Sequence, residues 1–479
     1  MFDLLTWILQ FVTAWDEQQL HGFLAFQRPP SFRLFAGRWR VWNQWLKIRA
    51  PSQHAQCQTC FELLRAMRAQ GSSWGAKLQA ARDLRTHYRL QYLDRCIYWS
   101  LRLMSQTYKD VLTIIIDGMD KSKFAFPRWP FDRVPKDVEK LIRPKVILTA
   151  AIAHGWCTSL FMTSEVLDHG SSLLCECLCQ VLEEVWKISK QTGRRFPRHL
   201  VVVTDNTTGF AKNQHGLKFL AYLVATYKFV TANLLGLVVG HTHEDVDQLF
   251  AVVLWLMLRR RSWQTPAEIL QAIADGLRER ISRKGEVLIA VELTAVRDFK
   301  AWLGQLGLHT DHCFMTRDGI EAPHCFSMKL GSLLTAAERA MLVQVRSARP
   351  FDPGAVYCCV KMFMHSAQLQ QEPCYQFPAG RAARVHPATP TGVLRRSLSE
   401  DQVKTYLRLA HVCAELDLVQ AAQVLRDLVY RRRYFLSELT WLEHFRQPDV
   451  LELAEAVTVN PYFPHLPESS WRMVARLTA

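Results

Sequence analysis

No apolar run in this chain reaches the roughly 20 residues that a membrane-spanning helix needs. The longest candidate, Leu249 to Leu258, falls far short, so no membrane partner is expected. The first segment, MFDLLTWILQFVTAW, lacks the basic n-region of a secretory signal and carries Asp3 in that place; it reads as an amphipathic helix. Thirteen cysteines are present without the spacing of a disulfide framework: Cys175, Cys177 and Cys179 alternate in a mostly apolar run, and Cys358 and Cys359 are adjacent. This usage fits buried thiols in a reducing compartment. The expected location is nuclear or cytoplasmic, not secreted. No self-similarity recurs at a period of about 20–50 residues, which excludes a solenoid. Acidic residues are missing between Glu17 and Glu62, a window that holds Arg28, Arg33, Arg38, Arg40, Lys47 and Arg49 among Phe32, Phe35, Trp39, Trp42 and Trp45.

Positive charge is what the chain has in excess. Its formal net charge of +15 over 479 residues favours a polyanionic partner, nucleic acid first. Arg38 and Arg40, interleaved with aromatics, are candidate nucleic-acid contacts. The plainer reading of that window is a helical domain with a basic face and tryptophans in its core. At this length a single core is not expected, and about two to four units are. Composition and periodicity divide the chain into a basic helical N-terminal region over 1–108, an α/β domain over 109–295, a mixed α/β extension over 296–390 and a helical C-terminal region over 391–479.

A Cys-x-x-Cys pair, 57-CQTC-60, supplies half of a tetrahedral zinc site, with His87 and Cys96 downstream. No second such pair follows, so Cys57, Cys60 and His87 are weak zinc candidates, and two cysteines on a helix face are the preferred reading.

The middle of the chain changes texture. Asp110 to Ile116 is a β-branched run that ends in DGMD; Lys145 to Ala153 and Thr158 to Ser164 are two more strands around an HGWC turn. Leu173 to Lys190 reads as a helix, Leu200 to Val203 as a strand ending in TDN, Gly216 to Tyr227 as a helix and Asn233 to Val239 as a fifth strand. The chain then enters 240-GHTHEDVDQLF-250 and a helix to Arg260, and Thr265-Pro266-Ala267-Glu268 opens another helix with a capping-box signature. Beyond it, Cys325 to Leu330, Met341 to Val345 and Ala355 to Met364 are expected strands, 378–396 a linker, and the pattern turns helical from Ser399.

The order is βββαβαβα, with carboxylates at the ends of the first, fourth and fifth strands. Carboxylates converging at buried strand ends repel each other unless a cation neutralises them. Mg²⁺ (or Mn²⁺) suits such a site, because it is a hard ion held by few carboxylates plus substrate phosphates. Two ions roughly 4 Å apart serve phosphodiester cleavage or strand transfer. This order fits a ribonuclease-H-like mixed five-stranded sheet with flanking helices. Asp117 takes the first acid position, Asp205 the second, and Glu244, Asp245 or Asp247 the third, 39 to 42 residues after Asp205.

On 117-DGMDKSKF-124, 205-DNTTGFAKN-213, 240-GHTHEDVDQLF-250 and 265-TPAE-268, the chain resembles an uncharacterised eukaryotic domain family of transposon-like genes with a ribonuclease-H-like, DDE-transposase-type fold. The resemblance spans about residues 55–330, weakly at its upstream end, and G-H-T-H-x-D-x-D is its specific part. It implies Asp117, Asp205, Asp245 and Asp247 as catalytic candidates. The resemblance makes Asp117, Asp205 and the Asp245/Asp247 pair the metal-ligand candidates, with Asn206, Lys212, Asn213, His241 and His243 as accessories; helix spacing, which puts Asp247 on one face with His243 and Glu244, favours Asp247 over Asp245 as the third ligand and adds Glu244 to the accessories. Lys121, Lys123, Arg194 and Arg195 are further nucleic-acid contact candidates, and His154 after the second strand is a weak one for the site. The expected activity is Mg²⁺-dependent cleavage or joining of DNA, with DNA as partner and a homo-oligomer allowed. The alternative is a catalytically inactive, transposon-derived protein that binds nucleic acid or another protein. The letters GHTH also occur in metallophosphoesterases, but no GNH occurs here and Asp117 is followed by Gly-Met rather than by the x-His of that family.

Overall fold

The computed structural model describes residues 57–447 apart from 108–109, 120–123, 132, 205–212, 238–244, 261, 305–322, 345–350, 365, 367–368, 370–372, 379–389, 391, 395–396 and 431–433. Asp205, Asn206, Lys212, His241, His243, Glu244, Lys121, Lys123, Arg38 and Arg40 therefore lie outside the described residues.

The chain divides into two compact units, one formed by residues 1–95 with 238–242 and the other by 96–237 with 243–479. In the first, α1 (Gln58–Arg68) and the start of α2 (Trp74–Thr107) bury Cys57, Cys60, Met67, Ala80, Ala81 and Leu84.

The second unit is mixed α/β. Its sheet begins with β1 (Val111–Gly118), β2 (Val146–Ala153) and β3 (Cys157–Ser164), joined after the short α3 (Lys136–Glu139). Then come α4 (Ser171–Thr192), β4 (His199–Thr204), α5 (Gln214–Ala225), β5 (Thr231–Gly236), α6 (Asp245–Arg259) and α7 (Pro266–Ser282). β6 (Val287–Leu293), β7 (Val296–Arg297), α8 (Phe299–Gly304), β8 (Cys325–Leu330) and α9 (Ala336–Gln344) follow. The last elements are β9 (Ala355–Lys361), β10 (Cys374–Pro378), β11 (Val393–Leu394), α10 (Glu400–Glu415), α11 (Val419–Tyr430) and α12 (Thr440–His444).

Nine strands pair in the order β10-β9-β8-β5-β4-β1-β2-β3-β6. β1 is antiparallel to β2 and β2 to β3, whereas β1 and β4, β4 and β5, and β3 and β6 run parallel. β8, β9 and β10 extend the sheet beyond β5 in antiparallel fashion. The sheet is thus larger than the five strands expected, with β6 beyond β3 and β8–β10 beyond β5. β11 pairs with β7 in a separate ribbon, so part of the expected linker is ordered backbone.

The central strands read as unbroken apolar runs because both faces are covered. Leu112, Ile114 and Ile116 pack with α4 and α5, while Val111 and Ile115 pack with Tyr98 and Leu101 of α2, with α6, α7 and with residues of α10 and α11. Met341–Val345, expected as a strand, falls largely in α9 instead. The reason is a capping box: Glu338 N donates to Thr335 Oγ1 at 3.2 Å and Thr335 N to Glu338 Oε2 at 2.8 Å.

Candidate functional site

Asp117 is the seventh residue of β1 and half-buried. Its Oδ1 accepts the N–H of Gly118 at 2.7 Å. Successive strand side chains alternate between faces, so Asp117 shares the face of Val111 and Ile115, the face that α6 covers. On β4, Val201 and Val203 point to that same face, and Val203 is level with Ile115. Thr204, bonded in the chain to Asp205, ends the strand.

Asp245 and Asp247 lie in the first turn of α6, where the helix dipole favours acids. Their surroundings differ. Arg102 Nη1 donates to both oxygens of Asp245, at 2.8 and 2.7 Å, and Tyr98 Oη donates to Asp245 Oδ2 at 2.9 Å. His154 Nε2 is 3.1 Å from Tyr98 Oη and 3.7 Å from Asp245 Oδ2. The single phenolic proton goes to the carboxylate, so His154 must donate its Nε2–H to the phenol oxygen. Burial pushes His154 down to about 3. It is therefore neutral, and its approach to Asp245 is a dipolar contact rather than an ion pair. Burial works to raise the Asp245 carboxyl, but the hydrogen bonds and charge of Arg102 and the Tyr98 hydroxyl outweigh it and hold the group below its ordinary value.

Asp245 is thus already neutralised by a protein cation. The network also gathers away from Asp117. Asp117 pairs with Ala150 on β2, while His154 follows Ala153, the partner of Ile114. Four residues of strand separate Ala150 from His154, about 13 Å. Of the two expected acids on α6, Asp245 is tied to α2 through Arg102 and Tyr98. Asp247 is half-buried and remains the candidate third carboxylate. Neither Tyr98 nor Arg102 was an expected site residue. Their i,i+4 spacing on one helix face was visible, but nothing local pairs them with a carboxylate 143 positions away.

Arg102, His154 and Asp245 also line a cavity of about 330 Å³ that Arg280, Lys284 and Glu286 complete. Glu286 accepts the N–H of Gly155 at 3.0 Å and the hydroxyl of Thr158 at 3.2 Å, which fixes the turn that carries His154.

Other expected residues have local employment. Asn213 caps α5, its Oδ1 accepting the N–H groups of His215 and Gly216 at 3.0 and 3.1 Å. An asparagine at a helix N-cap needs no catalytic explanation. The basic loop before β4 lies at the end of the sheet opposite Asp117, since β4 starts level with Val111. There Arg198 is paired with Asp110 through two bonds of 2.6 Å. Burial acts to raise the Asp110 carboxyl, and Arg198 overcomes it. Arg194 reaches Gly155 O at 3.4 Å and lies over the Trp156 ring, while Arg195 is exposed.

Among the described residues, the group of three or more metal-ligating side chains with donor atoms within 4.8 Å of one another is Cys57, Cys60 and His87. Asp117, Asp245 and Asp247 do not form such a group. No described helix is long and apolar enough to cross a membrane. The family described as "Domain of unknown function (DUF7869)" matches residues 136–335, from α3 past β8, and leaves β1 with Asp117 outside the matched span. No curated protein and no solved structure was found to match the chain.

Proposed function

We propose that the protein is a transposase- or integrase-like nuclease that cleaves or joins DNA phosphodiesters with Mg²⁺ (or Mn²⁺). The observation that carries this reading is the central sheet order β5-β4-β1-β2-β3, with β1, β4 and β5 parallel and β2 and β3 antiparallel. That is the arrangement expected of a ribonuclease-H-like core. It brings the last residues of β1, including Asp117, beside the end of β4, after which the chain continues as Asp205. Asp117, Asp205 and Asp247 would hold the ions. Bound Mg²⁺ supplies charge neutralisation for the attacking and leaving oxygens. The carboxylates fix its position, Arg102 and Tyr98 hold the start of α6, and the +15 chain attracts the polyanion.

Nicking of supercoiled plasmid in Mg²⁺, Mn²⁺ or EDTA tests the reading. The wild type should nick in either metal and not in EDTA. Asp117→Asn, Asp205→Asn and Asp247→Asn should each lose about 100-fold or more, the scale of removing one charge-stabilising group. Equal rates in all four proteins would overturn the assignment. The neutralisation of Asp245 by Arg102 favours one second reading, a non-catalytic descendant that binds nucleic acid. It predicts salt-dependent DNA binding without metal-dependent turnover.

A further inference from the structure

The Cys-x-x-Cys pair sits at the start of α1. Cys57 is the N-cap of α1, and its Sγ accepts the N–H of Cys60 at 3.2 Å. This turn brings the two sulfurs to one side. His87 comes from α2, thirty positions on, and its Nε2 is 3.1 Å from Cys57 Sγ. All three donor atoms fall within 4.8 Å of one another. Tetrahedral Zn²⁺, with bonds of about 2.3 Å to sulfur and 2.0–2.1 Å to nitrogen, requires donor separations of about 3.5–3.8 Å. Cys57 Sγ and His87 Nε2 reach that separation by opening a few tenths of an ångström, and the other two pairs lie within 4.8 Å.

Both sulfurs are shielded from solvent. Cys57 and Cys60 are 7% and 3% exposed. The Gln91 amide nitrogen lies against His87 Nε2. Among the described residues, the apolar core that joins α1 to α2 includes both cysteines.

We propose that Cys57, Cys60 and His87 bind one Zn²⁺ ion that fastens α1 to α2. Soft thiolates with imidazole select zinc over the hard ions suited to carboxylates. This site is therefore separate in chemistry from any Mg²⁺ site at Asp117, and the proposal does not rest on the nuclease reading.

The test is metal analysis of the full chain purified after expression with added zinc. One zinc per chain is expected, and Cys60→Ser and His87→Ala should each lose most of it. His87→Cys, which restores a ligand, should retain it, as should Cys413→Ser and Asp117→Asn, which lie elsewhere. Replacement by Co²⁺ should give thiolate charge-transfer and tetrahedral d–d bands that vanish in Cys60→Ser. These bands are read on the metal itself, so a loss of fold in one variant does not mimic the wild-type signal. Wild type without zinc and without cobalt bands would overturn the proposal. So would zinc content unchanged in both ligand variants, or a Cys57–Cys60 disulfide in the purified chain.

Discussion

Arg102 offers one nitrogen to both oxygens of Asp245, and Tyr98 covers one of those oxygens again. The two aspartates that open α6 therefore face different tests. Arg102→Met leaves Asp245 with Tyr98 as its remaining described donor, so burial acts against less opposition. Both partners retain some exposure, 34% and 21% of their side chains, and screening reduces the loss. We expect Arg102→Met and Asp245→Asn each to cost about 1–2 kcal/mol of stability, read as lowered denaturant midpoints. Asp247→Asn should cost less than about 1 kcal/mol while abolishing metal-dependent nicking. A destabilisation by Asp247→Asn equal to that of Asp245→Asn would erase the division of labour. Sequence alone named both aspartates but could not separate them, because the discriminating partners lie on a helix almost 150 positions earlier. Conversely, the cap that Asn213 supplies to α5 was legible locally, because asparagine is a preferred N-cap residue.

At the scale of elements, the strands that were legible are those buried on both faces. β1 to β4 came within one or two residues of their observed bounds, because an unbroken β-branched run has few alternatives to a central strand. β8 and the first residues of β9 were equally readable. β6 was not expected. It lies at the edge beyond β3, with exposed positions at Val287 and Ala290, and follows directly on a helix. The expected strand at Met341–Val345 failed because its apolar residues were read without the 335-TAAE-338 signal ahead of them. That signal carries more than a cap. Lys329 of β8 places Nζ 2.8 and 2.6 Å from the two oxygens of Glu338, with the lysine 1% exposed. Removing the lysine strands a buried carboxylate, and Lys329→Met should cost about 3–5 kcal/mol. Lys329→Met with Glu338→Gln keeps a capping side chain without the charge and should recover much of the loss. If the double variant is as unstable as the sum of the two singles, β8 and α9 are not joined by this pair.

For the whole molecule, buried titratable groups set how stability follows pH. His154 is held at about 3 and His199 at about 4 by burial, against about 6.5 when unfolded. As pH falls below about 6.5 the unfolded chain takes up two protons that the folded chain refuses. Stability should fall by about 1.4 kcal/mol per pH unit for each, about 4 kcal/mol from these two by pH 5; His215, also lowered by burial, adds to the fall, and Glu183 and Glu292, raised by burial, oppose it. The depressed carboxyls of Asp110, Asp245 and Glu338 add nothing in that window, since their loss begins below the unfolded carboxylate value. Above it, Lys228 takes over. Burial pushes this lysine down to about 6, where its amine donates to Phe445 O at 2.9 Å and Trp441 O at 3.4 Å. The unfolded lysine stays protonated to about 10.4, so stability should continue to rise by up to 1.4 kcal/mol per unit, an order-of-magnitude slope. The rise ends near pH 8.5, where unfolded thiols ionise. Cys157, Cys175, Cys177, Cys179, Cys359 and Cys413 are all raised by burial. There the unfolded chain loses protons that the folded chain keeps, and the slope reverses. Urea midpoints from pH 5 to 9.5 should therefore trace a dome with its top near pH 8. His154→Gln should halve the acid limb, and Lys228→Met should flatten the stretch from about pH 6.5 to 8. A midpoint that is level between pH 5 and 6.5 would mean that these histidines are not held neutral in the folded protein, and with that the donor assigned to Tyr98 beside Asp245 would fall.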